Sequence, residues 1–171
     1  PRLRRMIRLR LHCRLQGRGD PSDILQEAFL DIFRRGAEQA RSREMPFFLW
    51  LRLMTGQKLL EIHRRHLGTQ LRDAAREVTL YAGALPQASS LSLAAFLMGR
   101  QTSASQVAQR AELQLRLQEI LNSMAPLDRE VLALRHFEEL SNSETAGVLG
   151  ISATAASNRY MRALERLKDI L

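Results

Sequence analysis

The chain has 171 residues, 45% of them apolar, which gives room for one medium domain or two small ones and is the composition of a folded protein rather than a disordered tail. Twenty-six Lys and Arg against eighteen Asp and Glu leave a formal charge of +8, which points to an anionic partner such as nucleic acid or an acidic protein surface. The lone Cys13 excludes an internal disulfide and a cysteine zinc cage, and no apolar run reaches the roughly 20 residues that a membrane-spanning helix needs, so a cytoplasmic protein with no membrane insertion is expected.

From Arg2 to Arg18 seven arginines and no acid are interleaved with Leu3, Met6, Ile7, Leu9, Leu11 and Leu15, the pattern of a basic amphipathic helix. The opening Pro1 suggests that the natural chain extends further. Gly17 and Gly19 break this helix. Asp20-Pro21-Ser22 starts the next, with Asp20 or Ser22 as its cap and acids near its positive end. Leu25, Ala28, Phe29, Ile32 and Phe33 are its expected buried stripe. On the far side Asp23, Gln26, Glu27, Leu30 and Arg34 recur at spacings of three and four, placing acids, an amide and a leucine on one exposed ridge suited to a partner surface.

Gly36 to Pro46 is polar and bounded by the two strongest breakers, so it reads as a loop. Phe47, Phe48 and Trp50 then open a helix that continues through Leu51, Met54, Leu59 and Ile62 to the basic run His63-Arg64-Arg65-His66. Aromatics of this kind are usually core. The functional reading has at least one of these rings stacking on an unpaired base while Gln57, Lys58, Glu61, Arg64 and Arg65 face nucleic acid. His63 and His66 have no carboxylate or thiol at ligand spacing, so no metal is expected.

Residues 67–111 are rich in Ala, Ser, Gln and Leu, with a short apolar run at Leu91, Leu93, Phe96, Leu97 and Met98 that should pack on something. Ser103 with Gln106 forms one capping box, opening a helix expected to run to Met124. Ser141 with Glu144 forms another, and from there to Leu167 the chain reads as helix-turn-helix. Ala146 and Leu149 point inward, Gly150 takes the left-handed turn, and Ser152 caps a second helix buried along Ala156, Tyr160, Ala163, Leu164 and Leu167. Its outer face carries Thr154, Ser157, Asn158, Arg159 and Arg162, groups able to contact base edges and phosphates in a major groove.

The order of these parts resembles the bacterial sigma factors of the extracytoplasmic-function (ECF) type. DPSDILQEAFLDIF resembles that family's acidic helix, FFLWLRLMTGQKLLEIHRR its aromatic segment, and MAPLDREVLALRHF, with the helix-turn-helix behind it, its C-terminal domain. The resemblance implies an all-α fold of two small domains: residues 1–67 for core binding and promoter melting, 68–111 as a partly helical linker, and 112–171 as the helix-turn-helix domain. By position it implies that Asp23, Gln26, Glu27 and Leu30 dock on RNA polymerase core. Phe48, Trp50, Gln57, Lys58, Glu61, Arg64 and Arg65 would meet the minus-ten element, and Thr154, Ser157, Asn158, Arg159 and Arg162 the minus-thirty-five element. Implied partners are the clamp and flap regions of the polymerase, promoter DNA and an anti-sigma factor. Gln57, Glu61 and the small Ala155-Ala156-Ser157 depart from the family's usual residues, so no promoter sequence carries over.

A helix-turn-helix regulator that binds duplex DNA without polymerase is the alternative. No nucleophile, base and orienting group converge in the sequence and no Gly-rich phosphate loop is present, so neither an enzyme nor a cofactor is expected.

Overall fold

The computed structural model describes residues 1–11, 20–35, 45–67, 87–99 and 107–168. Every regular element among them is helical: the fold is all-α. Residues 148–150 aside, the chain divides at residue 87 into two compact units. Leu15, residues 36–44 of the expected loop, the stretch 68–86 and the Ser103–Gln106 box lie outside the described residues.

The N-terminal unit packs α1 (Arg2–Arg10), α2 (Pro21–Arg35) and α3 (Phe47–Leu67) on one another. Helix α1 is shorter than its basic periodicity predicts. At Leu11 the backbone turns extended, with ψ at 124°, and the leucine side chain is buried with Ile7, Ile24, Leu59 and Ile62. Leu3, Met6, Trp50 and Leu51 form a second cluster, against which Leu25, Ile32, Phe48 and Met54 pack. Burying aliphatic and aromatic side chains at about 1.5–3 kcal/mol each offsets the conformational entropy of ordering three helices.

Helix α2 corrects the expected stripe. Ile24 and Ala28 are buried, with Leu25 and Ile32 half-buried, whereas Phe29 and Phe33 face outward with Leu30. The cause is arc width. At about 100° per residue Ile24, Leu25, Ala28 and Ile32 span about 100° of the helix, which α1 and α3 cover, and Phe29, Phe33 and Leu30 occupy the following arc. The acidic start of α2 is tied down by Asp20, whose Oδ1 accepts the Ser22 N–H at 2.8 Å.

The C-terminal unit contains α4 (Ser90–Leu97), α5 (Val107–Ser123), α6 (Pro126–Leu132), α7 (Asn142–Leu149) and α8 (Ala153–Lys168). Helix α4, capped by Ser89, carries the apolar run of the middle segment and packs on α5. Leu93 and Ala94 are buried, and Phe96 meets Phe137 edge-on at 5.7 Å between ring centroids. Two polar ties hold this helix: Glu130 Oε2 accepts the Ala88 N–H at 3.1 Å, and Ser90 Oγ donates to Asn122 Oδ1 at 2.6 Å. Pro126 at the first turn of α6 needs no N–H partner, and Arg129 Nη1 reaches the Leu121 carbonyl at 3.1 Å to fix the α5–α6 corner. Helix α6 runs on into a wider π turn, Ala133–Phe137, which buries Ala133, Leu134 and Phe137 together. Glu139 then takes a left-handed φ of 57° and redirects the chain into α7.

Candidate nucleic-acid and protein interfaces

The helix-turn-helix is built by local hydrogen bonds that its sequence announces. The Ser141 N–H donates to Glu144 Oε2 at 2.7 Å while the Glu144 N–H donates to Ser141 Oγ at 3.2 Å, so two bare helix-start donors are satisfied reciprocally. At the other end of α7, Gly150 sits at φ 64° and the Ile151 N–H returns to the Ala146 carbonyl at 3.0 Å, the six-to-one closure of a left-handed helix end. Ser152 Oγ then accepts the Ala155 N–H at 3.1 Å and starts α8.

Asn142 fixes the angle between the two helices. Its Oδ1 accepts from Arg135 Nη1 and its Nδ2 donates to the Ala153 carbonyl, both at 2.7 Å, so one amide bridges the π turn to the first residue of α8. The Arg135 guanidinium also lies 4.8 Å from the centre of the Tyr160 ring, holding the middle of α8 from the same side.

On α8, Ala156, Ala163 and Leu167 are buried, and Tyr160 and Leu164 are half-buried. Thr154, Ser157 and Asn158 are exposed on the opposite side. The two arginines of that face are not loose. Arg159 Nη1 donates to Asp128 Oδ1 at 2.7 Å and Arg162 Nη2 to the same oxygen at 3.3 Å. Asp128, in the first turn of α6, is only 8% exposed. Sequence reasoning missed it, since a carboxylate in another helix leaves no local pattern.

In the N-terminal unit, α2 presents Asp23, Gln26, Glu27 and Leu30 to solvent, with Phe29 beside them and Phe33 83% exposed. An apolar strip edged by acids is therefore the dominant feature of this helix. On α3, Gln57, Glu61, Arg64 and Arg65 are exposed, and Arg65 pairs with Glu61 at 2.6 Å. Lys58 lies between the two helices, 3.0 Å from Asp31, 3.4 Å from Glu27 and 3.4 Å from Glu61. The Asp31 hydrogen bond, supported by Glu61, holds its ammonium above the usual lysine range. Trp50 is 4% exposed and part of the core, while Phe48 is half-buried with the Arg2 guanidinium 3.8 Å over its ring. Phe47, tilted against Trp50 at 5.8 Å, is the open ring of the cluster. Among the described residues, no group of three or more His, Cys, Asp or Glu is placed to hold a metal ion, and no helix is long and apolar enough to cross a membrane.

Comparison with known proteins agrees with this geometry. Residues 114–167 match the family model for sigma-70 region 4, so the C-terminal helix-turn-helix is a domain of that class. An RNA polymerase sigma-E factor of Streptomyces avermitilis is 46% identical over 55 residues, 32% of this chain and 31% of that protein. The sigma-E factor of Streptomyces coelicolor is 44% identical over a stretch of the same length. The ECF RNA polymerase sigma factor SigD of Mycobacterium tuberculosis is 29% identical over 147 residues, which is 86% of this chain and 61% of SigD. This chain thus spans under a third of the sigma-E relatives and about three fifths of SigD. Over most of its length the chain is similar to an ECF sigma factor, and over its C-terminal helix-turn-helix to sigma-70 region 4.

Proposed function

We propose that this protein docks on RNA polymerase core through α2 and directs promoter-specific initiation, with α8 reading the minus-thirty-five element and α3 serving the minus-ten element and its melted strand. The observation that carries this reading is the pairing of two unlike faces in one chain: a polar, arginine-bearing helix in a capped helix-turn-helix, and an acid-edged apolar strip in a separate helical unit. The first has the hydrogen-bonding groups for base edges and phosphates. The second has the apolar area and charge that a basic protein groove would bury. On α3, Gln57, Arg64 and Arg65 supply polar and cationic contacts, and Phe47 is the exposed ring available to an unpaired base. Trp50 acts from within, by holding the helix that carries them.

A regulator that binds DNA alone would have no use for the strip on α2, and the similarity to SigD extends well beyond the helix-turn-helix. The test is association with purified bacterial core polymerase. Reversing charge at Asp23 and Glu27 together is expected to abolish co-elution with core while leaving the helical content unchanged. Co-elution at the wild-type level would contradict the assignment of α2.

A further inference from the structure

We infer that Asp128 is a positioning residue for DNA reading, which holds Arg159 toward base edges and lets Arg162 go to a phosphate. This inference rests on the reading of α8 as the helix that enters the major groove. Both arginines donate to one oxygen of one carboxylate, and a single oxygen does not hold them equally. Arg159 is at 2.7 Å with a side chain 29% exposed, whereas Arg162 is at 3.3 Å with a side chain 57% exposed. The short bond belongs to the more enclosed partner.

The guanidinium is a planar fork whose donors point in fixed directions, so fastening one nitrogen sets the direction of the others. With Nη1 committed to Asp128, Arg159 keeps its remaining donors in one orientation on a side chain that is still 29% exposed. Such a group meets a base edge without having to lose its rotamer freedom at the moment of binding. A free arginine in the same place would satisfy itself on whichever phosphate lies nearest, which attracts DNA of every sequence alike. The carboxylate also places a negative charge beside the DNA face, so a duplex that does not offer Arg159 a partner gains less from the helix. Arg162, held at longer range and more exposed, exchanges Asp128 for phosphate at small cost. Discrimination thus comes from one arginine and attraction from the other, with Asp128 dividing the two tasks.

The test is binding of the full chain, over a range of salt, to two duplexes of equal length: one selected by the wild-type chain from a random pool, and one with that sequence scrambled. Asp128→Asn keeps the shape of the side chain and removes its charge. It is expected to raise affinity for the scrambled duplex about tenfold and to steepen the salt dependence by about one phosphate contact, near 0.9 in log–log slope. The ratio of selected to scrambled affinity should fall about tenfold. An unchanged ratio and slope in a folded variant, with the wild type discriminating, would overturn the role of Asp128 alone. A wild-type chain that selects no sequence would overturn the reading of α8 itself. Should the variant fail to fold, arginine side-chain NMR of the wild-type chain decides. Restricted rotation of the Arg159 guanidinium, free and on DNA, supports the inference, and free rotation in either state overturns it.

Discussion

The outward faces of α2 and α8 are opposites. On α8 the exposed residues are hydroxyl, amide and guanidinium groups, and its cations are anchored by a carboxylate from another helix. On α2 the exposed residues include two phenylalanines and a leucine bordered by acids. A face meant for DNA needs oriented donors and tolerates water, because base edges and phosphates are themselves polar. A face meant for a protein needs apolar area at its centre and charge at its rim. One small chain therefore carries two chemically distinct surfaces in separate units, and alteration of one is expected to leave the other intact.

The largest effect should come from a residue that belongs to neither face. Trp50→Ala removes a buried ring from the cluster with Leu3, Met6 and Leu51 and is expected to cost about 3–5 kcal/mol. Calorimetry should show the N-terminal unit's transition lost and that of the C-terminal unit kept. Retention of both transitions would mean that Trp50 is a surface residue after all. Next comes Phe33→Asp on the α2 strip, which should lower affinity for core polymerase more than tenfold. Because Phe33 is so exposed, stability should change by no more than about 0.5 kcal/mol. DNA binding by α8 should be untouched.

On the other side, Ser141→Ala breaks the capping box and should destabilise the C-terminal unit by about 1 kcal/mol, measured by urea titration. Polymerase docking through α2 should survive it. The smallest effect is a pH dependence at the start of α2. The Ser22 N–H and hydroxyl, with the charges of Arg4 and Arg8 adding to them, hold the Asp20 carboxyl below its ordinary value near 3.8. A depressed folded-state value means that this contribution is complete above the ordinary value and is lost as pH falls through the lowered one. Melting of the N-terminal unit, followed as pH falls from the ordinary carboxylate value through the lowered one, should therefore show a component that Asp20→Asn removes.

What could be read from the sequence was whatever is local. The Ser141–Glu144 box, the left-handed Gly150 and the Ser152 cap each depend on residues within five positions, and each is present. The exposed ridge of Asp23, Gln26, Glu27 and Leu30 followed from helical periodicity alone. Phe29 and Phe33 did not, because the seven apolar residues of α2 from Ile24 to Phe33 exceed the arc that two neighbouring helices can cover, and only packing decides which remain outside. Helix α1 ends at Arg10 although arginine and leucine go on alternating past it, and nothing in that pattern marks the extended backbone of Leu11. The partner of Arg159 lies 31 residues away in sequence, so nothing near either residue records the pair. Lys58 was read as a DNA contact by its place on α3, yet its ammonium is held among Glu27, Asp31 and Glu61.

The most direct test of the central claim is transcription in vitro by bacterial core polymerase on a pool of random promoters, with and without this protein. Initiation that depends on the protein and starts from a shared two-part motif is the predicted result. Sequence-specific binding of the chain to duplex DNA, with no initiation and no association with core, would contradict the claim and leave a helix-turn-helix regulator in its place.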